Sequence, residues 1–288
     1  MKWLSVIGNN QNVGQDKMTI DILTVFPEMF ESVLNTSIMG RAREKGLICV
    51  ETTDIRPYSV MKHKNTDDYP FGGGAGMLMT PQPIADAIKD VCKKRGTPCV
   101  DRVSEKQNMV CNDKKNRMLR IYLSPKGVPF TQRVAEEMAK EEHLLLLCGH
   151  YEGVDQRVLD KYIDMEISLG DYVLTGGELG AMVIADSVSR LIPGVLGSSE
   201  SAEDESFSMA GLLEYPQYTR PRMFEGMEVP EVLLNGDHAK INQWRRQQAI
   251  LTTLERRPEM LETAPLSKKE KIWLDAVLAE RETQKDDE

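Results

Sequence analysis

The chain has 288 residues, a formal net charge of −9 and 41% hydrophobic residues, enough to bury one large core or two ordinary ones without staples. No apolar run reaches the roughly 18 residues of a membrane span, and MKWLSVIGNN lacks the apolar core and cleavage site of a secretory signal. The acidic balance argues against non-specific nucleic-acid binding, and five scattered cysteines (49, 92, 99, 111 and 148) without metal spacing point to reduced thiols and a cytoplasmic protein.

TIDILTVF (19–26) has the length and apolar content of a buried strand, and Pro27 opens a helical pattern through Met29, Phe30, Val33 and Leu34. PFGGGAGM (70–77) has the flexibility to cradle a phosphate but lacks the Lys-Ser/Thr that a P-loop requires. Pro81 opens a second helix. Residues 93–118 are polar and unpatterned, and are read as a surface insertion. LRIYLS (119–124) is a second strand ending in the turn LSPKG, and Thr131 caps a third helix ending near Glu142. LLLLC (144–148) and MEISLG (165–170) are further strands, and Glu178 begins a helix that stops at Pro193. Strands alternating with helices imply an α/β fold with a mostly parallel sheet covered on both faces.

After Pro193 the pattern changes. SSESAEDESFS (198–208) carries Glu200, Glu203, Asp204 and Glu205 among serines and has the composition of a solvated linker. A proline-marked stretch, EYPQYTRPRMF (214–224), and purely helical patterns follow. The expected organisation is therefore an N-terminal extension (1–17), an α/β domain (18–196), a flexible linker (197–211) and a small all-helical domain (212–288). Within 236–257, five cations (Lys240, Arg245, Arg246, Arg256 and Arg257) face only Asp237 and Glu255, a basic island in an acidic chain.

Three loops follow strands directly: LSPKG (123–127), CGHYEG (148–153) and LGDYVLTGGELG (169–180). None is a GxGxxG fingerprint. Yet ligands of open α/β sheets bind at strand C-terminal ends, and three loops converging there can hold an adenosine-sized molecule by main-chain hydrogen bonds. No catalytic triad or metal cage is visible: His63, His143, His150 and His238 are far apart, and His143, on the approach to an apolar strand, reads as structural.

LSPKG, LLLLCGHYEGVDQRV, ISLGDYVLTGGELGAMVIADSVSRLIPGVLG and GLLEYPQYTRPRMFEGMEVPEVLLNGDHAKINQWRR together resemble the bacterial tRNA (guanine-N1)-methyltransferase family (TrmD) of the SPOUT class. DILTVFPEMF and DDYPFGGGAGMLM match its N-terminal region, so the resemblance covers nearly the whole chain from Met18. It implies a SPOUT-type parallel sheet with a C-terminal trefoil knot, a homodimer with sites at the subunit interface, and S-adenosylmethionine as cofactor, with magnesium assisting but no dedicated metal site in this sequence. The implied substrate is tRNA with guanosine at position 37, methylated on N1. By motif, the cofactor site comprises Leu123, Ser124 and Pro125; Gly149, Tyr151 and Glu152; and Leu169, Gly170, Asp171, Tyr172, Val173, Leu174, Gly176 and Gly177.

Guanine N1 carries a proton that a general base must remove, and charge then spreads toward O6, where a cation stabilises it. The resemblance assigns the cation to Arg190. The family's base is an aspartate immediately before Ser-Phe; here AEDESF places Glu205 there, with Asp204 one residue earlier, so both are candidates. Lys240, Trp244, Arg245 and Arg246 are the implied tRNA grip, cations holding phosphates and the aromatic ring stacking on a base. Competing readings are an RNA-binding module of the same fold and a methyltransferase acting on another RNA target.

Overall fold

A computed structural model describes residues 18–99, 117–196, 206–207 and 211–286. The chain divides into two compact units, Met1–Gly197 and Ser198–Glu288.

The first unit is built on a five-stranded sheet in which every pairing is parallel: β1 (Met18–Thr24), β2 (Ile48–Asp54), β5 (Met118–Pro129), β6 (His143–Leu147) and β7 (Met165–Ser168), in the order β2-β1-β6-β5-β7. The central strands read as continuous apolar runs because both faces are covered. In β6, Leu144 and Leu146 join one core while Leu145 and Leu147 join the other, the period-two alternation of a strand. The first core packs Ile20, Ile22 and Ile121 against α1 (Glu31–Asn35), α2 (Ser37–Glu44) and α6 (Glu178–Ser189), through Leu34, Met39 and Ile184 among others. The second packs Leu23 and Tyr122 against α3 (Pro81–Arg95) and α5 (Gln156–Tyr162), through Ile84, Ile88, Val158 and Leu159. Between α4 (Gln132–Met138) and β6 lies a short turn, and a two-stranded ribbon pairs β3 (Asp67–Asp68) antiparallel to β4 (Leu78–Met79).

Several boundaries differ from the sequence reading for identifiable reasons. The Pro27 pattern splits into a 3-10 turn (Pro27–Phe30) and α1. Thr131 does cap α4, accepting from the Val134 N–H, but that helix stops at Met138. Helix α3 enters the 93–118 segment as far as Arg95, where Gly96 takes a left-handed φ of +68° and closes its last carbonyls. Its final turn is anchored because Arg95 makes a bidentate ion pair with buried Asp21, at 2.8 and 2.7 Å. Strand β5 does not end at LSPKG. Residues 124–127 leave the ladder and the chain rejoins β7, with Ile167 facing both Leu123 and Val128. Gly127 makes the return feasible, since a Cβ there would overlap the backbone of Glu166 and Ile167.

A second buried ion pair locks β5. Arg120 and Asp164, side chains 4% and 5% exposed, meet in a bidentate pair through the Nε and Nη2 edge of the guanidinium, both bonds at 3.0 Å, and Asp164 also accepts the Arg120 backbone N–H at 2.9 Å. Burial pushes the Asp164 carboxyl up, but the hydrogen bonds and charge of Arg120 outweigh it and hold the carboxyl below its ordinary range.

In the second unit, a core of Leu212, Tyr215, Ala249, Ile250 and Leu274 is flanked by Trp244 and Trp273. Helices α7 (His238–Arg256) and α8 (Lys268–Asp286) frame it, with a small hairpin of β8 (Met223–Phe224) and β9 (Met227–Glu228) before them. Asp237 caps α7 by accepting from the Lys240 N–H, and Ser267 with Glu270 forms a reciprocal capping box at the start of α8. Thr253 ties 213 to α7: its hydroxyl donates to the Ala249 carbonyl at 2.7 Å and accepts from the Leu213 N–H at 2.9 Å.

Candidate functional site

Strands β6, β5 and β7 are neighbours in the sheet, so the break in β5 at 124–127 and the loops that follow β6 and β7 meet in one cleft of about 250 Å³. Its walls include Leu123, Ser124 and Pro125 from the first loop, Gly149, Tyr151 and Glu152 from the second, and Leu169, Gly170, Tyr172, Val173, Leu174, Gly176 and Gly177 from the third. Of the expected cofactor residues, Asp171 alone does not line it. Tyr122, His150, Gly153, Ser168, Thr175 and Gly180 also line it and were not singled out from the sequence.

Close backbone approach sets the cleft's shape. The Gly177 N–H donates to the Gly149 carbonyl at 2.8 Å, and His150 bridges to Gly176. A Cβ on Gly177 would sit 2.8 Å from the Cys148 Cα, and one on Gly149 would sit 2.7 Å from the Tyr122 hydroxyl. A Cβ on Gly176 would overlap the Glu178 carboxylate and lie 2.8 Å from His150 Nδ1. These glycines are needed because main chain and polar side chains occupy the space a larger residue would take. Glu178 opens α6 buried, where an acid suits the positive end of the helix, and it accepts from the Thr24 hydroxyl at 2.8 Å. Burial, with the Glu166 charge adding to it, pushes the Tyr122 hydroxyl up to about 12. Tyr122 therefore stays neutral as part of the cleft floor.

The rim has a different character. Tyr172, Val173 and Leu174 are exposed on the third loop and add apolar surface to a cleft whose lining also carries polar side chains such as Ser124, His150 and Glu152. Tyr151 holds a left-handed backbone (φ +57°), an uncommon state for a non-glycine residue that marks an over-determined loop. His150 is wedged between the rings of Phe26 and Tyr151, at centroid distances of 4.9 and 4.8 Å. Glu152 supplies the carboxylate of the lining, and its N–H donates to the Met77 carbonyl at 3.0 Å. That bond joins PFGGGAGM to the second loop, a link 75 residues apart in sequence that no local pattern announces.

The other expected site residues lie elsewhere. Arg190 caps the C-terminal end of α6, whereas Gly177 at the other end lines the cleft; 12 helical residues separate them by about 18 Å. Within one chain the structure does not bring Arg190 to the cleft. Glu205 and Asp204 lie outside the described residues. Ser206 and Phe207, next to them, are tied to the second unit: the Ser206 hydroxyl accepts from the Glu214 N–H at 3.0 Å and the Phe207 N–H donates to the Leu212 carbonyl. Lys240, Trp244, Arg245 and Arg246 are all on α7. Lys240 is exposed and pairs with Asp237 at 3.2 Å, Trp244 packs on the helical core, Arg245 lies 5.0 Å over the Tyr215 ring, and Arg246 pairs with Glu270 at 2.6 Å. Among the described residues no three His, Cys, Asp or Glu side chains are grouped to hold a metal ion.

Glycine-shaped loops forming a cleft at the ends of parallel strands place the protein among the α/β proteins that bind ligands at strand C-terminal ends. The model of the tRNA (Guanine-1)-methyltransferase TrmD family matches residues 18–263, and the chain belongs to that family. A tRNA (guanine-N(1)-)-methyltransferase of Halalkalibacterium halodurans is 52% identical over 266 residues, 92% of this chain and 100% of the relative. One from Clostridium perfringens is 54% identical over 253 residues (88% and 97%), and one from Staphylococcus epidermidis is 50% identical over 258 residues (90% and 96%).

Proposed function

We propose that this enzyme methylates N1 of the guanosine at position 37 of tRNA, using S-adenosylmethionine held in the three-loop cleft. The observation that carries the reading is the convergence of the three loops on one cleft, in a chain matched by the family over 18–263. The residues present fit such a cofactor. Glycine approaches leave main-chain N–H and C=O groups to recognise an adenine edge, exposed Tyr172, Val173 and Leu174 offer apolar cover, and the Glu152 carboxylate suits a cationic sulfonium. When bound, the cofactor supplies an electrophilic methyl group.

The chain's own residues do the rest. Glu205 or Asp204 takes the N1 proton, which makes the nitrogen nucleophilic. Arg190 faces the oxygen where negative charge develops. Because Arg190 is far from the cleft of its own chain, a homodimer in which a second copy contributes it is part of the same proposal. Exposed apolar residues, Met29 on the 3-10 turn, Val33 on α1 and Leu179 with Val183 on α6, lie on elements packed around that turn and offer a surface for that copy. The proposal includes a trefoil knot in the C-terminal part of the first unit, a linker over 197–211 carrying the base, and a second unit that grips tRNA, with Lys240 as the leading phosphate contact. Magnesium assistance and a cytoplasmic location belong to it too. Among the described residues no helix is long and apolar enough to cross a membrane.

Calorimetry with S-adenosylmethionine, followed by methyl-transfer assays on tRNA transcripts carrying guanosine or adenosine at position 37, tests the reading. Cofactor binding and guanosine-dependent transfer support it. Cofactor binding without transfer means an RNA-binding module, and transfer indifferent to that base means another target.

A further inference from the structure

Phe71 is fully exposed, at 100% of its reference surface, and Tyr69 two residues earlier is 79% exposed. A single exposed apolar residue is ordinary. This one sits at the tip of a hairpin whose base is built into the cleft. Strands β3 and β4 close the hairpin, the Met79 N–H donates to the Gly153 carbonyl at 2.9 Å, and the Met77 carbonyl accepts from Glu152. The base of the hairpin, at Met77 and Met79, is therefore joined to the cleft's second loop by main-chain bonds, and the tip extends from that base. Within it Gly72, Gly73, Gly74 and Gly76 all have positive φ, and added Cβ atoms on Gly72 and Gly73 would meet nothing within 4 Å. The exposed aromatic ring is thus followed directly by glycines on left-handed backbone that only glycine adopts cheaply. Immediately before the hairpin, Lys62 and His63 are exposed in a loop closed by the Ser59 hydroxyl on the Asn65 carbonyl. Lys62 is a cation ahead of the exposed aromatic pair, with Asp67 and Asp68 of β3 between them, and exposed aromatic rings are what single-stranded nucleic acid stacks on.

A base whose N1 is to be methylated must leave its stack to reach a cleft, and its neighbour then has a bare face. We propose that Phe71 stacks on the nucleobase adjacent to the methylated guanosine, filling the place that guanosine vacates. The inference rests on tRNA being the substrate and adds a positioning contact from the first unit. Stacking on an aromatic ring is tolerant of base identity, so Phe71 contributes affinity and correct presentation rather than sequence choice.

The test is single-turnover methylation of tRNA by F71A, F71L and F71Y, with calorimetry of S-adenosylmethionine on each. F71A is expected to raise the tRNA concentration for half-maximal rate by about 10-fold or more, with cofactor affinity unchanged. F71Y restores the wild-type value and F71L does not, because the ring and not its bulk makes the contact. An abasic nucleotide on the stacked side of the guanosine should make wild type and F71A alike. The inference is overturned if F71A matches wild type on tRNA, if F71L rescues as well as F71Y, or if the F71A defect follows loss of the dimer in sedimentation. Wild-type protein that binds cofactor but transfers nothing to tRNA would overturn the substrate reading itself, a separate result.

Discussion

Gly177→Ala is the sharpest probe of the cleft. The new methyl group would start 2.8 Å from the Cys148 Cα and 3.0 Å from the Gly149 nitrogen, both backbone atoms that cannot swing aside. Ordinary carbon contact needs about 3.5 Å, so the third loop must withdraw by about 0.7 Å. That movement stretches the 2.8 Å Gly177–Gly149 hydrogen bond. Losing the bond costs about 0.5–1.5 kcal/mol and the overpacking about 1–3 kcal/mol. If the strain falls on the loop pair that shapes the cleft, cofactor affinity should drop by roughly 30- to 1,000-fold, converting about 2–4 kcal/mol. Calorimetry with S-adenosylmethionine reads this directly, and circular dichroism melting shows whether the sheet beneath remains folded. Gly226→Ala in the hairpin loop of the second unit, where no atom lies within 4 Å but the φ of +83° strains an alanine, is a control for backbone strain away from the cleft and should bind cofactor normally. Wild-type affinity in Gly177→Ala would refute the claim that contact between the second and third loops shapes the site.

Other outcomes follow from the same geometry. In single-turnover transfer, whichever of Glu205→Gln and Asp204→Asn removes the base should slow the step by about 10²–10⁴-fold; full rate in both excludes the linker as its source. Arg190→Ala should slow transfer while leaving cofactor affinity intact, and mixing it with a cleft-defective variant should restore part of the activity if the arginine acts across a dimer. Asp164→Asn leaves the buried Arg120 charge uncompensated and should cost about 3–5 kcal/mol in urea unfolding; a loss under 1 kcal/mol would mean the pair is not buried as described. Burial raises the Glu270 carboxyl, but bonds from Arg246 and Ser267 outweigh it and bring its pKa down to about 2. A depressed folded pKa gives stability that is present above the unfolded value of about 4.3 and lost as pH falls toward 2. The side chain is 23% exposed, so screening leaves about 1–2 kcal/mol of this. Glu270→Gln should flatten that stretch of an acid titration followed by the fluorescence of Trp244 and Trp273.

The parallel sheet was legible because its central strands are buried on both faces and leave uninterrupted apolar runs, LLLLC above all. Edge strand β2, ICVETTD, was not: only Ile48 and Val50 are buried, and the half-buried Glu51, Thr52, Thr53 and Asp54 break the apolar run despite the β-branched threonines. The seven-residue α5 is too short to show a helical period, and the break in β5 at 124–127 looks like a terminal turn until β7 is there to receive Val128. Strand-end glycines marked the three loops, but their contacts depend on register. Neither Thr24 meeting Glu178 nor Met77 meeting Glu152 has a local cue. The cations of α7 show the opposite limit: charge counting grouped Lys240, Arg245 and Arg246, whereas packing commits Arg246 to Glu270 and lays Arg245 on Tyr215.

The most direct measurement is nucleoside mass spectrometry of a tRNA transcript after incubation with the full-length protein and isotopically labelled S-adenosylmethionine. One labelled methyl group on N1 of the guanosine at position 37, absent when that base is adenosine, is the predicted result. Label on any other nucleoside, or equal label with adenosine there, would contradict it.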